Sequence, residues 1–161
     1  MRVWYGTERD SGCENKNIPR HLHTCAKPAI QKFCRNERLF RRFPPGHIQK
    51  LQNTVKLEGP DTSSNRSLFS NPDDVRRVEE TGAYQAEHGV VSFPVRALHQ
   101  IRWDSDNGKT VVIRVLHDPL RCNYSHCDFE FWEDDQIVEK IVGSAKVQIR
   151  DMLKEVVGRE C

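Results

Sequence analysis

Alternation of apolar and polar residues is the clearest pattern in this chain, and it is concentrated in the C-terminal half. Across Lys109 to His117, Val111, Ile113 and Val115 fall on one face, while Val112, Arg114 and Leu116 fall on the other. That period of two predicts a β-strand. The same parity puts His117 on the apolar face, just past its end. Asp106-Asn107-Gly108 supplies a tight turn ahead of this strand. A second strand is predicted from about Tyr124 to Trp132, then a turn at Glu133-Asp134-Asp135 and a short third strand from Gln136 to Val142. After Gly143 the period becomes helical: Ile149, Met152, Leu153, Val156 and Val157 form one apolar stripe, with Ser144 as the N-cap. Gly89 to Leu98 alternates Val91, Phe93 and Val95 and also reads as a strand, with Pro94 forcing an edge or a bulge.

The first half is less regular. Residues 1–36 form a loop-rich segment containing Cys and His, and residues 37–161 a single α+β domain. A helix is expected from Pro28 to about Arg38, and Pro44-Pro45-Gly46 ends regular structure. Residues 58–71 read as a long loop. Asn71 is a natural N-cap for a surface helix, with Pro72 at its first position, Asp73 and Asp74 in its first turn and Gly82 as its stop. The expected architecture is a small, largely antiparallel sheet with a C-terminal helix packed on one face, preceded by an irregular N-terminal segment. Its simplest form is a three-stranded meander.

Composition narrows the function classes. Twenty-five basic and 23 acidic residues leave a net charge of +2, which gives no global attraction to nucleic acid or to an anionic membrane. The sequence contains no apolar run long enough to span a bilayer. MRVWYGTERDSG lacks the apolar core of a secretory signal, so a cytoplasmic location is expected. In that setting the six cysteines are expected as free thiols or metal ligands rather than disulfides.

The second strand carries the sharpest chemistry. Cys127, Phe129 and Phe131 point one way, and His126, Asp128 and Glu130 point the other, roughly 7 Å apart along the strand. The simpler expectation for the polar set is a solvated sheet face. The functional alternative is a divalent-metal site or a general base, with His126 as acid/base, Asp128 and Glu130 as orienting groups or ligands, and His117 and Asp118 approaching from the preceding turn. In that alternative Arg41, Arg66, Ser67 and Asn123 hold an anionic, phosphate-containing substrate.

A second metal candidate lies at the front, where Cys13, His23, Cys25 and Cys34 could hold a structural zinc ion. The basic and aromatic run Arg35 to Phe43 could grip nucleic acid. The overall charge disfavours that reading, and Leu39, Phe40 and Phe43 are expected to anchor the segment in a core.

Four stretches, LFRRFPPGHI (39–48), SLFSNPDDVR (67–76), HGVVSFPV (88–95) and HDPLRCNYSH (117–126), together resemble a group of small uncharacterised bacterial proteins. The resemblance spans residues 37–157 and implies no activity. It marks Arg41, His47, Ser67, Asp118, Asn123 and His126. Three functional expectations follow: a binding or accessory module docking on a protein partner, an enzyme using the His/Asp/Glu strand face, or a structural zinc module.

Overall fold

The structure, a computed structural model, describes residues 13–24, 27–45, 61–78, 81–138 and 141–160. Among the described residues, eight strands and three helices follow a 3-10 turn at Arg20–Leu22. They are β1 (Arg38–Phe43), β2 (Asp61–Arg66), α1 (Pro72–Val75), β3 (Gly89–Pro94), α2 (Val95–Gln100), β4 (Arg102–Asp104), β5 (Thr110–His117), β6 (His126–Glu133), β7 (Gln136–Ile137), α3 (Gly143–Val156) and β8 (Gly158–Glu160). Every strand pairing is antiparallel, in the order β4-β5-β6-β2-β1-β3-β8, and β7 adds to β6. The fold is α+β, as the alternation predicts. The β5-β6-β7 meander is one part of a wider sheet.

Parity holds where it is strongest. Val115 lies opposite Phe129 and Ile113 opposite Phe131, and all four are buried. They join Leu39, Phe43, Val91 and Phe93 in the main core, which α3 covers with Ile149 and Leu153. Met152, Val156 and Val157 complete the helical stripe at the edge of that core. On the opposite face Phe40, Val75 and Val90 form a smaller cluster that seats α1. Leu39, Phe40 and Phe43 are therefore the core anchors expected of them.

Several predicted elements differ, for identifiable reasons. No helix forms from Pro28 to Arg38. The amide of Ile30 donates to His117 Nδ1 at 2.9 Å, and the carbonyls of Ile30 and Lys32 accept from Arg66. Those backbone groups have tertiary partners, which leaves them unavailable for a helical ladder. The loop expected over residues 58–71 contains β2, a strand with no apolar side chain, held between β1 and β6. The strand predicted to reach Leu98 ends at Pro94, and the chain turns into α2, burying Val95 and Leu98. Helix α1 has the expected Asn71 cap, with a reciprocal capping box to Asp74, but runs only to Val75. Helix α3 begins at Gly143 itself, with Val142 in the cap position and no side-chain cap.

The irregular N-terminal segment is tied down over its described residues. Cys13 and Cys122 form a disulfide, which overturns the expectation that these cysteines are free thiols or metal ligands. Cys13, Ile18 and Leu22 form a satellite cluster with Cys122 packed against it. The amide of Tyr124 donates to the carbonyl of Leu22 at 2.6 Å, and the amide of Thr24 donates to that of Arg121 at 3.3 Å. Among the described residues no helix is long and apolar enough to cross a membrane.

Candidate metal centre

The face of β6 opposite the core carries His126, Asp128 and Glu130, and all three are buried, at 6, 5 and 3% exposure. The solvated-face expectation therefore fails for this strand. Neighbouring strands extend the polar face: Asn65 lies opposite His126, Ser63 opposite Asp128 and Arg114 opposite Glu130. Buried carboxylates and imidazoles need partners or a cation, so each must be accounted for.

His126 is held in one orientation. Its Nδ1 lies 2.7 Å from the backbone carbonyl of Asp118. A carbonyl only accepts, so Nδ1 carries a hydrogen, and whenever the ring is neutral Nε2 carries the lone pair. Nε2 stands 3.6 Å from Asp128 Oδ1. A proton on the ring or a bound cation would bridge Nε2 and this carboxylate, on which the Arg41 charge also acts. The Asp118 carboxylate completes the group, and one ligand atom from each of Asp118, His126 and Asp128 lies within 4.8 Å of the others. Donors about 2.1 Å from one ion can be at most about 4.2 Å apart. An ion there would need every pair of its donors within that limit.

The turn that makes this cluster is local. Pro119 follows Asp118, and the Leu120 and Asn123 backbones bond to each other in both directions, at 3.0 and 3.1 Å. That tight return brings Asp118 back alongside His126, whose carbonyl accepts from the Asp118 amide at 3.2 Å.

His126 also lines an open cleft of about 430 Å³ on the same face. Arg41, Arg42, Arg77, Asn65 and Asn123 contribute polar groups, and Leu22, Phe40, Val75 and Leu120 contribute apolar wall. Arg41 Nη1 donates to the Ser63 carbonyl at 3.1 Å. Burial pulls the Arg41 pKa below the usual guanidinium value, and the charge of Asp128 opposes that fall. Arg42 Nη1 is buried without a hydrogen-bond partner. Asn123 Nδ2 donates to Asn65 Oδ1 at 2.9 Å, joining the turn to β2.

The other expected site residues lie elsewhere. His117 is buried in the core side of the sheet, accepting from Ile30 N at Nδ1 and donating from Nε2 to the Tyr124 carbonyl at 2.6 Å. Burial lowers its pKa, and both nitrogens are occupied, which corrects its assignment as a catalytic group. Glu130 accepts from Trp132 Nε1 at 3.1 Å and stands outside the three-residue cluster. Arg66 is wholly buried, forked onto Glu37 at 2.6 and 2.9 Å and stacked on Phe33 and Phe69, so it is a structural residue and not an anion ligand. Ser67 Oγ accepts from the Arg38 amide at 2.9 Å, also away from the cleft.

The front zinc proposal loses Cys13 to the disulfide. His23 Nε2 bonds the Ile18 carbonyl at 3.1 Å, and Cys34 is an exposed thiol. Cys25 and His47 lie outside the described residues. Cys127 is fully buried, and burial raises its thiol pKa well above the ordinary value, so it is an inert core residue. Reading the sequence missed Arg42, Arg77 and Asn65. Arg42 shares Phe40's parity on β1, and that was the available signal. Asn65 was hidden because β2 has no apolar pattern.

No family model matches the chain, and no curated protein or solved structure is significantly similar to it.

Proposed function

We propose that this protein binds a divalent metal ion through Asp118, His126 and Asp128 and presents it to a ligand in the adjoining cleft. The observation that carries this reading is the orientation of His126. Its Nδ1–H is fixed on a backbone carbonyl, an arrangement typical of metal-ligating histidines, and its Nε2 faces a buried carboxylate at 3.6 Å. One imidazole and two carboxylates suit a first-row ion such as Mn²⁺ or Zn²⁺ better than Ca²⁺, which prefers an all-oxygen shell. In this reading His126, Asp118 and Asp128 act as ligands, and the ion takes over the role of polarising substrate or water.

The docking-module reading has less support. Residues 13–24 and 27–37 use backbone groups and a disulfide on the 118–125 turn and on Arg66, which leaves little of the described segment free to engage a partner. The disulfide also favours an oxidising compartment over the cytoplasm.

Calorimetric titration of Mn²⁺ and Zn²⁺ into chelator-treated full chain tests the reading. It predicts one ion per chain, no binding in His126→Ala and binding weakened at least tenfold in Asp128→Asn, with circular dichroism unchanged. Equal binding by wild type and His126→Ala would refute it.

A further inference from the structure

The cleft beside the metal centre is shaped for one chemical class of ligand. Its polar side is dominated by arginine: Arg41, Arg42 and Arg77 converge on one cavity from β1 and from the segment following α1. Two of the three have visible partners. Arg41 donates to the Ser63 carbonyl, and Arg77 lies over the Tyr84 ring at 5.4 Å. Arg42 is different, because its Nη1 is buried and bonded to nothing. A buried guanidinium nitrogen without an acceptor is costly unless an acceptor arrives. Asp74 also lines the cleft, but its carboxylate is engaged by the Asn71 amide and by His21 Nε2, each near 2.8–2.9 Å. Three guanidiniums against that one carboxylate leave the lining of the cleft net positive.

Resting on the metal reading, we infer that the cleft binds a phosphate monoester, with one phosphoryl oxygen on the ion at His126 and the others on Arg42 and Arg77. Three points single out this class. Guanidinium forks match the oxygens of a phosphoryl group, and a divalent ion favours a dianion over a carboxylate. His126 lines both the metal cluster and the cleft, so one anion can touch both. The volume of about 430 Å³ exceeds what a bare phosphate needs, and the wall of Leu22, Phe40, Val75 and Leu120 offers an apolar surface to an organic group.

The test is a titration of inorganic phosphate and of phenyl phosphate into the full chain, with and without saturating Mn²⁺. The inference predicts that both bind, phenyl phosphate more tightly, and that removing Mn²⁺ weakens each at least tenfold. Arg42→Gln should weaken phosphate at least tenfold while leaving Mn²⁺ affinity and the unfolding midpoint unchanged. Arg77→Gln, on a different element, should do the same. Normal Mn²⁺ binding with no phosphate binding, or with phosphate binding as tight in both variants as in the wild type, overturns the inference and leaves the metal centre standing. Phosphate binding that is indifferent to Mn²⁺, in a chain that takes up no metal, overturns the bridge and the metal reading together.

Discussion

The two faces of the sheet each hold a histidine, arginine and a carboxylate, and they use them in opposite ways. On the core side, Arg66 is forked onto Glu37, caps the Ile30 and Lys32 carbonyls and stacks on two rings, while His117 has both nitrogens engaged. On the other side, His126 turns Nε2 toward Asp128 at 3.6 Å, and Arg42 holds a buried nitrogen with no acceptor. Residue type alone does not distinguish these groups. The distinction is clearest for the arginines, since the protein itself satisfies Arg66 and leaves Arg42 Nη1 open, and an unsatisfied polar group beside a cleft is where a ligand supplies the missing partner.

That contrast can be broken most forcefully at Arg66. Arg66→Ala leaves Glu37 buried without its cation and should cost about 3–5 kcal/mol in urea unfolding. A loss under about 1 kcal/mol would mean the core-side network is not the structural clamp described here. The disulfide comes next. It joins residues 109 apart in sequence, and its replacement in Cys13→Ser should cost about 2–5 kcal/mol and release the N-terminal segment to protease. Unchanged protease resistance would show that the Leu22 and Thr24 contacts suffice alone.

The smallest effect is one of pH. Native His117 has its pKa lowered by burial below the ordinary value of 6.5, so the unfolded chain binds a proton there that the folded chain refuses. Its contribution is complete above about pH 6.5 and is lost as pH falls below that value toward the depressed native pKa. The urea midpoint should drop more steeply between pH 7 and 5 in wild type than in His117→Gln. Parallel curves would contradict the locked neutral ring.

The sequence reveals the fold where one face is apolar and the other polar. Val111, Ile113 and Val115 in β5 and the stripe of α3 are of that kind, and both appear where periodicity puts them. Strand β2 does not, because Asp61 to Arg66 contains no apolar residue and its place is set by partners on both sides. The Pro28–Arg38 helix fails for a related reason: its backbone groups are claimed by Arg66 and His117, from far along the chain. Within the site, strand parity correctly groups His126, Asp128 and Glu130 on one face. It cannot show that the face is buried, nor that Asp118 turns back to join His126 while Glu130 pairs with Trp132. The Cys13–Cys122 bond is equally invisible in one dimension, because neither cysteine sits in a recognisable spacing.

The most direct measurement is an anomalous difference map from a crystal of the protein soaked in Mn²⁺. A metal centre at this cluster gives one strong peak about 2.1–2.3 Å from His126 Nε2 and from a carboxylate oxygen of each of Asp118 and Asp128. A peak at other residues, or none at that cluster while Mn²⁺ is present in excess, would contradict it.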